Sequence, residues 1–338
     1  MTVTYGVSFD GFVSTAEALA TARGASDAGI EAMWMAEHLG YREAMITSMG
    51  FRMQSENAFV IPTAVSPYLW HPVPTAMALA TLAEVGTAPV GIALGVGNPL
   101  FLAEAGREIV KPVRAIREFV ECLKALWTGE PVTREGEFFP LAGTRLAFTP
   151  PVPLVTYIAA MGEQMLRLTG RMADGVALSA GLSPAYCKVS LERMDEGAAQ
   201  AGRDPSTIRR AAYIYCAVSE DPAVARDIVR PKLAFLLRNR KLAENLDVTG
   251  VAVDQDAIVD AISRRDMEAA AALVPDEAID AYAIAGTPRE CHDKLDEFLA
   301  VGIDEPVLMV QGEDAERGLA LAFLRDRATA VKGATGKP

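Results

Sequence analysis

Short apolar segments alternate along the chain with longer segments of helical spacing, and this alternation limits the possible folds more than any other feature. Most of the short segments are continuously apolar, as in Gly-Ile-Ala-Leu-Gly-Val at 91–96, which is typical of strands that helices cover on both faces. The alternation predicts an α/β protein with a parallel sheet. Eight segments are predicted to be strands: Val3–Phe9, Glu31–Ala36, Phe59–Val65, Val90–Val96, Leu154–Ala160, Gly175–Ser179, Ala211–Val218 and Pro306–Val310.

Eight strand–helix units in a chain of 338 residues predict a closed (β/α)8 TIM barrel, with a doubly wound open sheet as the alternative. We expect one domain over residues 1–330, followed by a disordered tail at 331–338. A small hairpin is expected within Thr133–Pro153. The mostly helical stretch at 235–284, between strands seven and eight, is predicted to be an insertion that forms a lid or a substrate wall.

Composition narrows the class of protein. The formal net charge is −12, with 44 Asp and Glu against 32 Lys and Arg, so the chain should repel nucleic-acid backbones and anionic membranes. The sequence has no run of about 18 apolar residues, and its N-terminus lacks the basic and apolar regions of a signal peptide. The four cysteines are scattered and form no CxxC pair, which indicates reduced thiols in the cytoplasm.

A barrel of this kind holds its active site at the carboxyl ends of the strands. Two of the three histidines, His38 and His71, fall there, and a histidine can exchange a proton near neutral pH. We predict that His38 is an acid/base with Glu37 beside it, and that His71 faces the substrate. The alternative is a structural role for both histidines at helix starts. The apolar walls around the substrate are expected to be Phe9, Met35, Tyr68 and Trp70.

Backbone features at three strand ends predict a cofactor site. Two prolines in Ile61–Pro67 predict a bulge that turns residues 63–65 toward the lumen. At the end of strand four, Gly97 either lets the backbone approach a flat group or simply turns the chain. After strand five a helix begins near Gly162, and its free amides would suit a phosphate, although Glu163 also suits plain capping. The predicted cofactor contacts are Thr63, Ala64, Val65, Gly97, Asn98, Met161, Gly162, Glu163, Gln164, Met165 and Ser179.

Several catalytic motifs are missing from the sequence. No HExxH and no regular spacing of Asp or His is present, so no metal site is predicted. No GxSxG nucleophile elbow is present either. Gly95-Val-Gly97 lacks the third glycine of a dinucleotide fingerprint, and Pro99 follows where a helix would have to begin. A hydrolase on this fold is disfavoured because no paired carboxylates stand at matching strand ends.

Six short motifs, in this order and spacing, resemble the bacterial-luciferase-like family. The resemblance is closest to the branch that contains methylenetetrahydromethanopterin reductase and other flavin- or deazaflavin-dependent oxidoreductases. The motifs are Asp-Ala-Gly-Ile-Glu-Ala-Met-Trp-Met-Ala-Glu-His at 27–38, Thr-Ala-Val-Ser-Pro at 63–67 with His-Pro at 71–72, Gly-Val-Gly at 95–97, Tyr-Ile-Ala-Ala-Met-Gly-Glu-Gln-Met at 157–165, Arg-Met-Ala-Asp-Gly-Val at 171–176 and Ala-Gly-Thr-Pro at 285–288.

The resemblance implies a barrel with a reduced flavin at its carboxyl end. It implies a bulge in strand three, often with a non-prolyl cis peptide, that supports the flavin ring within Thr63–Val65, and a phosphate at 162–165. His38 matches the acid/base position of the family; deazaflavin members usually have Asp-His there, whereas this chain has Glu37-His38. Arg42 replaces a tryptophan of several deazaflavin members, which sets the chain apart from the sugar-phosphate and alcohol dehydrogenases.

The resemblance also implies a homodimer, for which the helices Met45–Met53 and Ala76–Val85 would supply a face. The predicted function is a flavoprotein oxidoreductase that uses reduced FMN to monooxygenate a small organic substrate or to pass a hydride to it, with a separate flavin reductase as partner. FMN is favoured because the deazaflavin coenzyme F420 carries an acidic oligoglutamate tail, and this acidic chain shows no basic cluster beside its strand ends. The alternatives are an F420-dependent reductase of the methylenetetrahydromethanopterin reductase type and a non-catalytic flavin-binding protein.

Overall fold

Eight parallel strands close into a barrel in the computed structural model, which describes residues 3–335. The described chain has eleven strands, of which β5, β6 and β10 lie outside the ring. In chain order they are β1 (Gly6–Phe9), β2 (Ala32–Ala36), β3 (Phe59–Thr63), β4 (Val90–Leu94), β5 (Val132–Arg134), β6 (Leu141–Thr144), β7 (Leu154–Ala160), β8 (Gly175–Leu178), β9 (Arg209–Val218), β10 (Ile284–Gly286) and β11 (Glu305–Val310). The ring runs β1-β2-β3-β4-β7-β8-β9-β11 and returns to β1. The predicted TIM barrel is confirmed, and its strands are the eight predicted ones.

Helices surround the barrel and cover the outer face of the strands. They are α1 (Thr15–Asp27), α2 (Ala44–Gln54), α3 (Pro72–Ala83), α4 (Pro99–Glu104), α5 (Pro112–Leu126), α6 (Glu163–Met172), α7 (Pro184–Gln200), α8 (Pro222–Leu237), α9 (Ala243–Thr249), α10 (Gln255–Ser263), α11 (Met267–Ala272), α12 (Asp276–Tyr282), α13 (Pro288–Ala300) and α14 (Asp314–Thr335). Helix α4 begins at Pro99, so the expectation that this proline blocks a helix start is wrong. Proline suits the first turn because its missing N–H has no partner there, and Asn98 caps the helix.

Side chains along each strand alternate between the barrel lumen and the helix layer. In β2, Ala32 and Trp34 belong to the small apolar cluster inside the barrel, whereas Met33 and Met35 belong to the larger core under the helices. Both faces are therefore apolar and buried, which explains why the strands read as continuous apolar runs.

Strand β3 carries the irregularity that its prolines predict. Val60 pairs with Val90, and the next pairing with β4 is the bridge between Val65 and Leu94, so β3 advances five residues while β4 advances four. Pro62 has no N–H to donate, which is consistent with the gap in the ladder. The peptide bond between Thr63 and Ala64 is cis, within the segment where the resemblance implied one.

The segment between β9 and β11 is mostly helical; α8 packs on β9, and hydrogen bonds join β10 and α9 to the barrel. Residues 216–218 of β9 pair with the short strand β10, beyond the part of β9 that pairs with β8. In α9, Asn245 is buried; its Oδ1 accepts the amide hydrogen of Ser183 at 2.9 Å, and its Nδ2 donates to the carbonyl of Gly181 at 2.9 Å. The predicted insertion at 235–284 corresponds to the end of α8 and the short helices α9–α12.

Three further expectations concern peripheral segments. The predicted hairpin is present as the antiparallel pair β5–β6. Helix α14 continues to Thr335, beyond residue 331, where the disordered tail was predicted to begin. The alanine-rich sequence before residue 331 favours continuation of the helix. Residues 336–338 lie outside the described part of the chain. Within residues 3–335, no helix combines the length and apolarity needed to cross a bilayer.

The helices expected to form a dimer face expose large apolar side chains. The exposed fraction is 76% for Ile46 and 74% for Met53 in α2, and 52% for Met77 in α3. Large exposed apolar side chains are typical of protein contacts. The homodimer stays a prediction.

Candidate active site

A cavity of about 1650 Å³ opens at the carboxyl ends of the barrel strands. Its lining comes from the ends of the strands, the loops that follow them, the start of α6, and residues of α8, α9 and α11. Pockets for single drug-sized ligands measure about 300–1,000 Å³. The cavity therefore has room for a cofactor and a substrate together.

His38 lines this cavity directly after β2. Its Nδ1 lies 2.8 Å from the backbone carbonyl oxygen of Asp10. A carbonyl can only accept, so Nδ1 carries the proton and donates it, which leaves Nε2 as the free nitrogen of the neutral ring. The predicted acid/base thus has a fixed orientation, set by the end of the neighbouring strand β1.

Glu37 also lines the cavity, but its carboxylate is held by the protein. One oxygen accepts the amide hydrogen of Ala44 at 3.1 Å, and the other accepts the indole hydrogen of Trp70 at 3.2 Å. Burial raises the pKa of Glu37, and the two hydrogen bonds oppose this shift only in part. Glu37 therefore joins the segments that follow β2 and β3.

The raised pKa of Glu37 predicts how its contribution to stability depends on pH. The folded state holds the Glu37 proton more tightly than the unfolded chain does, so this contribution is fully present below the unfolded pKa of about 4.3 and is lost as pH rises through the higher folded pKa. Urea unfolding between pH 4 and pH 8 should show wild type losing stability relative to Glu37→Gln as pH rises. A difference that stays constant with pH would contradict the prediction.

A flat wall of small side chains lies at the β3 bulge. Thr63 and Ala64 line the cavity, with Gly95 and Ala159 beside them. A Cβ added to Gly95 would lie 2.7 Å from the Cβ of Ala64 and 3.4 Å from that of Ala159, so only glycine lets these strands lie so close. Val65, predicted to contact the cofactor, is fully buried in the core instead, because its neighbour Ala64 takes the lumen-facing position of the alternation.

The start of α6 opens into the same cavity. No side chain caps the helix at Gly162, and nothing lies within 4 Å of where a Gly162 Cβ would be. The amide of Met165 bonds to the carbonyl of Gly162 at 3.0 Å, while among the described residues the amides of Glu163 and Gln164 have no partner. Glu163 does not cap the helix; its carboxylate pairs with Arg167 at 2.5 Å. Free amides at a helix start attract anions.

Ten of the eleven predicted cofactor contacts line the cavity. Besides those already described, Asn98 uses its side-chain oxygen to cap α4, which leaves its amide nitrogen available. The ten are Thr63, Ala64, Gly97, Asn98, Met161, Gly162, Glu163, Gln164, Met165 and Ser179. Their role toward a cofactor stays a prediction.

The residues predicted to form the substrate walls lie outside the cavity lining. Phe9 and Met35 point into the helix layer because their neighbours on the strands face the lumen, and the Phe9 ring packs against that of Phe51 with the ring centroids 4.5 Å apart. The Tyr68 hydroxyl donates to the carbonyl of Val110 at 2.7 Å. Trp70 donates to Glu37, and His71 caps α3 by accepting the amide hydrogen of Val73 at 3.2 Å. None of these five predicted residues, Phe9, Met35, Tyr68, Trp70 and His71, is among those that line the cavity.

Other lining residues were not predicted. Ser8, Tyr213 and Tyr215 face the cavity at alternate positions of β1 and β9, and their period-two spacing is the signal that would have indicated them. The Tyr213 hydroxyl is buried without a hydrogen-bond partner, near the hydroxyls of Ser8 and Thr63. Burial raises the pKa of Tyr213 and raises that of Tyr215 to about 12, so both phenols are neutral at physiological pH.

Basic side chains line the cavity on the side of the insertion. Lys232 of α8 and Lys241 are exposed there, and neither is in an ion pair among the described residues. Arg193 also lines the cavity but is paired with Glu244. The sequence shows no basic cluster beside the strand ends; these basic residues come instead from helices that only the fold brings to the cavity.

The sequence of the chain is similar to those of several known proteins. Residues 3–305 match the family described as luciferase-like monooxygenase. The chain is 28% identical to the 5,10-methylenetetrahydromethanopterin reductase of Archaeoglobus fulgidus over 288 residues, which cover 84% of this chain and 86% of the relative. It is also 28% identical to the F420-dependent glucose-6-phosphate dehydrogenase of Nocardia farcinica, over 87% of this chain and 84% of the relative.

A solved structure has the same fold. The coenzyme F420 dependent tetrahydromethanopterin reductase of Methanopyrus kandleri superposes with a TM-score of 0.86 at 25% sequence identity, over 96% of this chain and 98% of that one. These similar proteins are oxidoreductases, and they favour the F420 alternative over the FMN interpretation. The match over residues 3–305 shows that the chain belongs to the luciferase-like monooxygenase family.

Proposed function

We propose that the protein is an F420-dependent oxidoreductase that transfers a hydride between the deazaflavin cofactor and a small organic substrate, in the manner of a methylenetetrahydromethanopterin reductase. The observation that carries this proposal is one large cavity lined both by the uncapped start of α6 and by an oriented His38. The names of the similar proteins support the choice of F420. The FMN-dependent monooxygenase becomes the alternative.

The residues present fit a tricyclic ring with a phosphate. The small side chains of Ala64, Gly95 and Ala159 leave a flat surface against which a ring can lie. The buried Tyr213 hydroxyl lacks a partner that a ring heteroatom would supply. The free amides of Glu163 and Gln164 suit a phosphate.

The charges at the cavity mouth favour F420 over FMN. F420 continues beyond its phosphate into an acidic oligoglutamate tail, which FMN lacks. Lys232 and Lys241 lie on the exposed border of the cavity and have no carboxylate partner in the described chain. In a protein of net charge −12, two such unpaired cations at one mouth offer an acidic tail a local attraction.

Residues of the chain would orient the substrate and the cofactor and would transfer the proton. When bound in reduced form, F420 supplies a hydride to an electrophilic carbon of the substrate. His38 donates through Nδ1 to the Asp10 carbonyl, so its Nε2 takes up or delivers the proton that accompanies the hydride. The apolar lining, which includes Phe101, Leu102 and Met309, keeps water away from the transfer.

Separate titrations with F420 and with FMN test the proposal. We expect F420 to bind at least about tenfold more tightly, because its tail adds contacts that FMN cannot make. The double variant Lys232→Ala/Lys241→Ala should weaken F420 binding by about 3–10-fold at low salt and leave FMN binding unchanged. Lys188→Ala, an exposed lysine of α7 outside the cavity, is the matched control.

Two results would contradict the proposal. One is tighter binding of FMN than of F420, together with oxygen consumption by the protein loaded with reduced FMN, which would restore the monooxygenase interpretation. The other is tight retention of a cofactor without turnover on any acceptor, which would indicate a non-catalytic binding protein.

A further inference from the structure

Three hydroxyl-bearing side chains lie together at the floor of the cavity. Ser8 of β1, Thr63 of β3 and Tyr213 of β9 all line it, and Ala159 of β7 lies beside them. These four strands alternate around the ring, and side chains from alternate strands form one layer in a barrel of this kind. Ala159 and Tyr213 also pack against the small apolar cluster inside the barrel. The layer therefore separates this cluster from the cavity, and we call Ser8, Thr63 and Tyr213 the hydroxyl layer.

The Tyr213 hydroxyl can be satisfied only by its neighbours in this layer. Its oxygen is buried and has no hydrogen-bond partner in the described chain. The Tyr213 ring packs edge to face against Trp34, with the ring centroids 5.6 Å apart, so the phenol is held in place. The hydroxyls of Ser8 and Thr63 are near that of Tyr213. Because buried hydroxyls are normally hydrogen-bonded, one of these two oxygens is the natural acceptor for the Tyr213 proton.

A hydrogen bond from Tyr213 decides which ligand atoms suit the floor. Each hydroxyl has one hydrogen to donate, so Ser8 or Thr63 can accept from Tyr213 and still donate into the cavity. A ligand oxygen that takes this hydrogen turns the lone pairs of the same hydroxyl toward Tyr213. Burial raises the pKa of Tyr213, so the phenol stays protonated and acts as a donor. A carbonyl oxygen satisfies such a chain of donors, whereas a hydrocarbon edge leaves it unpaired.

We propose that the hydroxyl layer binds the carbonyl-bearing pyrimidinedione edge of the cofactor ring, with Tyr213 as a positioning residue that acts through Ser8 and Thr63. This inference rests on the proposed function, since it assigns the floor of the cavity to the cofactor ring. The flat wall at the β3 bulge can contact any planar ring, and the hydroxyl layer selects one whose edge carries carbonyl oxygens. Deazaflavins and flavins share this edge, so the layer recognises the ring system and not the tail.

Equilibrium dialysis with lumichrome tests the hydroxyl layer, because lumichrome carries the pyrimidinedione edge without a phosphate or a tail. Phenazine, a tricycle of similar size without carbonyl oxygens, is the comparison ligand. We expect wild type to bind lumichrome at least about tenfold more tightly than phenazine. Tyr213→Phe and Thr63→Val should each lower lumichrome affinity by about 3–10-fold and leave phenazine affinity unchanged. Thr63→Ser keeps the hydroxyl and should bind lumichrome as wild type does.

The stability of the variants separates positioning from damage to the fold. Tyr213→Phe removes a hydroxyl that has no partner in the described chain, so its Tm should equal or exceed that of wild type. Tyr157→Phe is the matched control, because Tyr157 lies two residues before Ala159 on β7, outside the cavity lining. The Tyr157 hydroxyl donates to Oε2 of Glu305 at 2.6 Å. Its loss should lower Tm and leave lumichrome affinity unchanged.

The outcomes separate this inference from the proposed function. The hydroxyl layer is overturned if wild type binds lumichrome no more tightly than phenazine, if Tyr213→Phe binds lumichrome as wild type does, or if this variant loses stability and affinity together. F420 is titrated in the same variants by fluorescence, and Tyr213→Phe should weaken it by the same factor as lumichrome. If F420 fails to bind wild type while Tyr213→Phe still weakens lumichrome binding, the proposed cofactor is wrong and the hydroxyl layer stands.

Discussion

His38→Ala is expected to lower turnover by about 10²–10⁴-fold, the usual range for a lost acid/base, while F420 affinity changes by less than about threefold. The Nδ1 hydrogen bond to Asp10 leaves Nε2 free toward the cavity, and no other histidine lines it. Single-turnover absorbance of reduced F420 with methylenetetrahydromethanopterin as acceptor measures the hydride step. Added imidazole should restore part of the rate in His38→Ala, which a purely structural role would not predict.

The control for this experiment is His71→Asn. Asparagine caps helix starts as well as any residue, so the variant keeps the role that the structure gives His71 at the start of α3. Its turnover should equal that of wild type. Unchanged turnover in His38→Ala, or an equal loss in both variants, would remove the acid/base assignment.

Gly162→Asp should raise stability and lower cofactor affinity together. Aspartate is a good cap for the uncapped start of α6, and the space around Gly162 is open, so we expect a gain of about 0.5–1 kcal/mol in the free energy of unfolding. The same carboxylate would occupy the anion position and repel a phosphate, so F420 affinity should fall by about 10–100-fold. Chemical denaturation and fluorescence titration measure the two effects.

A variant that gains stability while it loses F420 affinity excludes general damage to the fold as the cause of the lost affinity. Gly162→Ala is the matched control, because the backbone at Gly162 has a φ of −87° that alanine adopts without strain and the free amides remain. Its affinity should stay within about threefold of wild type. A Gly162→Asp protein that is more stable and binds F420 normally would place the phosphate elsewhere.

The barrel could be predicted because the sequence patterns that indicate its strands and helices each lie within one short segment. Continuous apolar strands and helical spacing are visible within each segment, and the positions of the chemistry follow from the rule that sites lie at strand ends. The residues near the β3 bulge and at the start of α6 were predicted in this way, and all of them except Val65 line the cavity. Strand β10 was missed because three residues are too few to show a period.

The substrate walls could not be predicted, for a related reason. When both faces of a strand are apolar, the sequence does not say which alternate set faces the lumen, so Phe9 was chosen in place of its neighbour Ser8. Lys232 and Lys241 are a different case. They lie in helical segments far from any strand end in sequence, and only the folded chain brings them to the cavity.

The attachment of the segment between β9 and β11 bears on how such a protein diversifies. One hydrogen-bonded anchor is the pairing of β10 with the far end of β9, and another is the buried Asn245. Substitutions and length changes in the short helices α9–α11 alter the mouth of the cavity while α8 stays packed on β9. The width and charge of the mouth can therefore diverge between related proteins while the strands that close the ring, and the groups at their ends, stay the same.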